Sequence, residues 1–199
     1  MRKTWVIAAV LLLGCVGQSD AGWVEFNSGI DGLAMGGVGS GRGIGFRADS
    51  SFTIDAVGLF GTLFEQPFDA LVYSSTNGHQ ANAVLDSATA TVGGAGEGWY
   101  DIALGFTFTA GNHYVLNWRP SNGNLAWASS IHFLWDDDLP AAAGPATLRD
   151  GCAGFDADAF SNFLHPRLRV HIADTVPEPA TLGLLALGGL ALLRRRRSR

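Results

Sequence analysis

Three consecutive carboxylates, Asp136-Asp137-Asp138, are the densest acidic feature of this 199-residue chain. Carboxylate oxygens clustered on a loop are the ligands that Ca²⁺ takes. The spacing is not that of an EF-hand, and three successive side chains do not all point inward. A solvated acidic turn is therefore the simpler reading, with a Ca²⁺ site as the alternative. Asp156 and Asp158 repeat the case in weaker form. The five histidines, His79, His113, His132, His165 and His171, contain no H-x-H or H-x-x-x-H spacing, so zinc finds no local frame among them. A glycosidase needs two carboxylates facing each other across a cleft. Glu25, Glu65, Glu97 and many Asp supply acids, but nothing in the sequence pairs them. There is no G-x-S-x-G nucleophile elbow, and Cys152 lies in Asp150-Gly151-Cys152-Ala153-Gly154 without a catalytic motif around it. These residues point away from an enzyme, and to no cofactor beyond that Ca²⁺ alternative.

The aromatic residues offer a different chemistry. Flat rings beside polar groups hold sugars, and β-sandwich modules use exposed rings in this way. Trp118 and Trp135 fall on the apolar phases of expected strands and read as core. Trp99 and Trp127 flank Gly-rich or Asn-rich stretches and are the candidates for a ligand-binding face. Burial of these two is the competing reading.

The elements that must position such residues follow a period of two. Tyr100, Ile102, Leu104, Phe106 and Phe108 alternate with Asp101, Ala103, Gly105, Thr107 and Thr109, so one face is apolar and the other small or polar. The Ala110-Gly111-Asn112 turn follows, and then Tyr114, Leu116 and Trp118 alternate with His113, Val115 and Asn117. The pattern predicts an antiparallel hairpin. Similar strands are expected at Ser51 to Phe60, Phe68 to Tyr73, Val84 to Val92, Ile131 to Trp135 and Leu168 to Ile172. No amphipathic helix is evident in the body. One-sided strands must bury their apolar faces against each other, which predicts an all-β fold: an antiparallel β-sandwich, jelly-roll-like in organisation. Gly39, Gly41, Gly43 and Gly45 alternate, and a phosphate-binding loop is excluded because no G-x-G-x-x-G, following Lys or helix accompanies them. The stretch reads as a flexible loop or as a strand that something packs over.

Composition sorts the chain into three unlike parts. Arg2 and Lys3 precede an uncharged apolar run from Trp5 to Val16, and Gly17-Gln18-Ser19-Asp20-Ala21 follows. This is the anatomy of a secretory signal peptide over residues 1–21, with Ser19 and Ala21 placed for a cut before Gly22. Leu12-Leu13-Gly14-Cys15 also resembles a lipoprotein cleavage box, which would make Cys15 a lipid-bearing N-terminus; either route exports the body. At the other end, Pro177-Glu178-Pro179 precedes an apolar run from Leu182 to Leu193 and then Arg194, Arg195, Arg196 and Arg197. A helix from Ala180 to Leu193 would be roughly 21 Å long, short against a hydrocarbon core of about 30 Å. Such a transmembrane helix suits a temporary anchor, and the Arg cluster keeps its end in the cytoplasm with the body outside.

The order and terminal position of these three elements resemble the sorting tail of PEP-CTERM proteins, covering residues 176–199. The resemblance implies recognition of Pro177-Glu178-Pro179 by an exosortase at the inner membrane of a Gram-negative, exopolysaccharide-producing bacterium, followed by removal of the tail. The run from Gly45 to Trp118 also looks like the β-sandwich bodies of such proteins. Residues 22–175 are then the working body. It retains six basic residues, Arg42, Arg47, Arg119, Arg149, Arg167 and Arg169, against sixteen acids, for a net charge near -10 and no Lys. That acidity argues against nucleic acid as a partner. With Cys15 removed, Cys152 would have no partner in its own chain. The resulting expectation is an exported, exosortase-processed protein of the cell surface or extracellular matrix, associated with exopolysaccharide and without catalysis. The rival is a secreted carbohydrate-binding or carbohydrate-cleaving module that uses Trp99 and Trp127.

Overall fold

The computed structural model describes residues 22–26, 31–35, 41–123, 128–135, 139–153, 157, 159–161 and 164–173. All of them belong to one compact unit, Ala21–Asp174. The signal segment, the sorting tail, Trp127, Asp136, Asp137, Asp138, Asp156 and Asp158 lie outside the described residues.

Period-two alternation is realised as strands throughout. In chain order they are β1 (Gly22–Phe26), β2 (Asp31–Met35), β3 (Arg42–Ala48), β4 (Phe52–Leu63), β5 (Gln66–Ser75), β6 (Ala81–Val92) and β7 (Glu97–Phe108). There follow β8 (His113–Pro120), β9 (Ala128–Trp135), β10 (Ala141–Ala143), β11 (Ala146–Ala153), β12 (Ala159–Ser161), β13 (Leu164–Pro166) and β14 (Leu168–Ile172). No helix occurs among the described residues. Every described pairing is antiparallel.

The strands form two seven-stranded sheets. Sheet A runs β1-β14-β4-β9-β13, with β7 on β4 and β2 on β9; sheet B runs β10-β11-β3-β8-β5-β6, with β12 on β11. Their inner faces share one core. Val57, Leu59, Ile102 and Phe108 from sheet A meet Ile44, Phe46, Phe68, Leu116 and Trp118 from sheet B, all of them buried. Edge-to-face aromatic contacts join the layers, with Phe46 5.1 Å from Phe26 and 5.2 Å from Phe108 between ring centroids. This is the sandwich that one-sided strands require.

The expected hairpin of residues 100–118 is corrected. The Ala110-Gly111 turn is present, with Gly111 at φ +82°, a conformation that glycine takes without penalty. The two strands it joins, however, do not pair. β7 bonds to β4 in sheet A, and β8 bonds to β3 and β5 in sheet B. The turn is itself bonded to β3, the Gly111 N–H donating to the Ala48 carbonyl at 2.7 Å. Alternation tells which residues face the core, and both sheets face it, so the pattern cannot separate a hairpin from a crossover.

The Gly-rich stretch resolves in part. Residues 42–48 are β3, a central strand with neighbours on both sides. Something does pack over it: the β5–β6 loop returns across sheet B, and a Cβ at Gly45 would overlap the Gly78 carbonyl. A second, smaller core lies on this outer face, made of Leu71, Tyr73, Val115, Cys152 and Ala157. Val115 therefore sits on the phase read as polar and is nonetheless buried, because the outer face of sheet B is roofed.

Candidate functional site

The row of residues that contains Trp99 lies on the outer face of sheet A. Register sets its composition. Glu25 on β1 is opposite Arg169 on β14, Arg169 is opposite Gly58 on β4, and Gly58 is opposite Asp101 on β7. The next row carries Phe60 opposite Trp99. Arg167 enters at a three-way junction of strands. Its carbonyl accepts from the Phe60 N–H at 3.0 Å, and its own N–H donates to the His132 carbonyl at 2.9 Å. This junction brings side chains of β1, β4, β7, β9 and β14 onto one surface.

Gly58 makes the central contact feasible. With no Cβ there, the Arg169 side chain passes over β4 to reach Asp101. An added Cβ would overlap Asp101 Oδ1 and lie 2.9 Å from Arg169 Cγ. Arg169 then makes a two-pronged pair, Nε to Oδ1 at 3.0 Å and Nη2 to Oδ2 at 2.6 Å. Its guanidinium also lies over two rings, 3.9 Å from the Trp23 centroid and 4.4 Å from that of Trp99. Arg167 repeats the motif. It donates to Glu25 Oε2 from Nε at 3.2 Å and from Nη2 at 3.0 Å, and its guanidinium lies 4.7 Å from the Phe60 ring and 5.4 Å from Trp99. His132 closes the row, edge-on to Phe60 at 4.9 Å, with Nε2 3.0 Å from Glu97 Oε2. At the other end His171 sits edge-on to Trp23 at 5.1 Å, with Nδ1 2.6 Å from Asp55 Oδ1.

The order across the surface is ring, cation, ring, cation, ring, imidazole. Each cation also holds a carboxylate. Cation–ring contacts are worth about 0.5–1 kcal/mol at exposed sites and more when desolvated. In this array each guanidinium is paired with a carboxylate. Trp99 is half-buried, and two guanidinium groups lie within 5.4 Å of its ring centroid. Trp23 is the ring of this row with the greater access to water, at 41% exposure. Trp118 is fully buried, as its apolar phase predicts, while the side chain of Trp135 lies outside the described set.

The histidines of the strands behave differently from one another. His132 and His171 each face a carboxylate on sheet A, while His113 lies on sheet B among arginines. Burial first, and then the charges of Arg149, Arg47 and His79, hold the His113 pKa below its ordinary value. His165 is completely buried on β13, and that burial lowers its pKa to about 4. Among the described residues no three His, Cys, Asp or Glu side chains gather as a metal would need.

Arg167 and Arg169 are the site residues that a motif search passes over. Their signal was available: Arg167, Arg169 and His171 recur at every second residue and so share one face of an extended segment. What they would meet there depends on pairing across four other strands, which no local pattern encodes.

Comparison with known families identifies the C-terminal segment. Residues 175–197 match the family model described as the PEP-CTERM protein-sorting motif. The matched segment contains Pro177-Glu178-Pro179, the apolar run and the four arginines. No curated protein matches the chain. The motif implies export and handling by an exosortase.

Proposed function

We propose that the protein is an exported, exosortase-processed component of the cell surface or exopolysaccharide matrix, with a body that performs no catalysis. The observation that carries this reading is the sorting motif at residues 175–197. In this reading residues 1–21 are a signal peptide and are removed on export. The helix after Pro179 then parks the chain in the inner membrane, with Arg194, Arg195, Arg196 and Arg197 on the cytoplasmic side. Cleavage near Pro177-Glu178-Pro179 frees the body, which we read as a jelly-roll-like sandwich, for display outside. The two ends support each other, because a signal peptide and an Arg-flanked terminal helix demand the same orientation.

The outer face of sheet A fits such a role. Its cation–ring array ties β1, the first strand of the body, to β14, the last, through Trp23, Glu25, Arg167 and Arg169. A displayed protein cut at both ends benefits from closed termini, since frayed ends are where proteolysis concentrates.

The test is the intact mass of the protein recovered from its host's surface. The mass should lack the Arg-rich end. Recovery of a surface form that still contains Arg199 would overturn the processing.

A further inference from the structure

On the outer face of sheet B the charges are arranged in another way. Arg47 on β3 lies directly opposite His113 on β8. Arg149 occupies a bulge in β11, where the register steps from Leu148 opposite Phe46 to Asp150 opposite Gly45. The β5–β6 loop folds onto the same place. A methyl group added at Gly78 would lie 3.0 Å from Arg149 Cγ and 3.3 Å from His113 Cδ2. The next residue, His79, places Nδ1 3.0 Å from Asp150 Oδ2. Three strands and a loop thus bring two guanidinium groups and two imidazoles together.

Arg47 and Arg149 lack what Arg119, Arg167 and Arg169 have. Arg119 pairs with Asp69 at 3.3 Å, Arg167 with Glu25 and Arg169 with Asp101. Neither Arg47 nor Arg149 forms an ion pair among the described residues, and Arg149 Nε is shut off from water without a hydrogen-bond acceptor. A buried donor with no acceptor is costly, and it marks Arg149 as a side chain whose hydrogen-bonding capacity the fold itself does not use. Arg47 is exposed, so the patch is open to solvent. All this occurs on a body whose net charge is near -10, where unpaired cations are scarce.

We propose that Arg47, Arg149 and His113, with His79 at the margin, bind the acidic groups of a polyanionic polysaccharide, namely uronate carboxylates or sulfate esters. A guanidinium presents two parallel N–H donors that match the two oxygens of such a group, and it stays charged at every physiological pH. The site deepens the matrix role proposed above and rests on it for its biological setting. It also answers the electrostatic objection to that role: an acidic body repels a polyanion on average but not at this spot.

Affinity electrophoresis tests the site on the full chain in mild detergent. The gels contain alginate, dextran sulfate or neutral dextran. Alginate or dextran sulfate should retard the chain, neutral dextran should not, and about 0.5 M NaCl should abolish the retardation. Stronger retardation by one polyanion identifies carboxylate or sulfate as the preferred group. Arg47→Gln, a change at an exposed side chain, should weaken binding about tenfold or more. Arg149→Lys keeps the charge but loses the fork and should weaken it several-fold. Unchanged retardation of Arg47→Gln, equal retardation by neutral dextran, or no retardation by either polyanion overturns the site. The tail's processing is read separately, by mass. A correctly processed surface protein that ignores both polyanions removes the site and leaves the sorting role. A chain that binds through Arg47 but keeps Arg199 at the surface removes the processing and leaves the site.

Discussion

Arg169 on the outer face of sheet A has a carboxylate in its own cross-strand row, whereas Arg47 on the outer face of sheet B has His113 on one side and Thr147 on the other. From that difference in register the two faces diverge. On sheet A the row Glu25, Arg169, Gly58, Asp101 closes into ion pairs, with rings filling the gaps. On sheet B no acid lies directly opposite Arg47, and the nearby carboxylates are engaged elsewhere, Asp150 by His79 and Asp49 by the Thr147 hydroxyl. The same residue types therefore form a clasp on one side and an unfilled cationic patch on the other. A paired, stacked guanidinium contributes to stability and is closed to ligands; an unpaired one contributes little and stays available.

Glycines offer the harshest test, because each face has one under its central contact. At Gly45 the obstruction to a Cβ is the Gly78 backbone, which cannot move without lifting the loop off sheet B. At Gly58 the obstruction is the Asp101 carboxylate and the stem of the Arg169 side chain, which can swing away. Gly45→Ala should cost about 3 kcal/mol, the upper end of overpacking penalties. Gly58→Ala should cost about 1 kcal/mol, reflecting a loosened, partly exposed ion pair. Urea denaturation of the two variants checks this. Equal losses would mean that the loop over sheet B is as adaptable as the side chains over sheet A.

Acid comes next. His165 has a folded pKa of about 4 against an ordinary 6.5. Between those values the unfolded chain binds the proton and the folded protein does not, so stability falls as pH drops through that window. Above it the contribution is constant. The loss reaches at most about 3 kcal/mol. His113 has the same sign, because its pKa is also lowered, first by burial and then by its cationic neighbours. Acid thus works against the interior and against the sheet B patch together. An NMR titration of the imidazole signals should find His165 neutral down to about pH 4; titration of His165 near pH 6.5 would refute the assignment.

How far the sequence foretold these faces depends on the kind of signal. The strands at 51–60, 68–73, 84–92 and 168–172 were legible because alternation is a local property of the chain, and the structure has β4, β5, β6 and β14 there. Trp118 as core was legible for the same reason. The separation of β7 from β8 was not, since a strand's apolar face is the same whichever sheet it joins. The second core was hidden too. Val115, Leu71 and Cys152 lie on outward phases and are buried because they pack together with Tyr73, Ala81 and Ala157, residues that no local pattern brings to that face. Trp99 drew notice as a ring beside glycines, but the arginines that occupy it arrive from a strand some seventy residues later. Each miss is a non-local pairing, and each lies where the outer faces acquire their chemistry.

The next largest effect should come from breaking the clasp. Arg169→Gln removes a two-pronged ion pair and two cation–ring contacts while leaving the strand intact. It should cost about 1 kcal/mol and raise the exposure of Trp23 and Trp99, read as a red shift and easier acrylamide quenching of fluorescence. A variant with unchanged quenching would show the rings to be held by their strands alone, and the clasp reading would fail.

The smallest expected change is the most discriminating. Arg47→Gln deletes a cation that no carboxylate holds, next to His113, whose protonated form it repels. Removing it loses no ion pair and relieves some repulsion. Its effect on unfolding free energy should stay within about 0.5 kcal/mol of zero, with any residue of effect on the stabilising side. Polyanion retardation should meanwhile fall. The two readouts must separate for the contrast between the faces to hold. If Arg47→Gln instead destabilises the fold as much as Arg169→Gln does, Arg47 is a structural cation like those of sheet A. The patch would then be one more clasp, whose partner lies in a segment outside the described strands, and not a place kept open for a ligand.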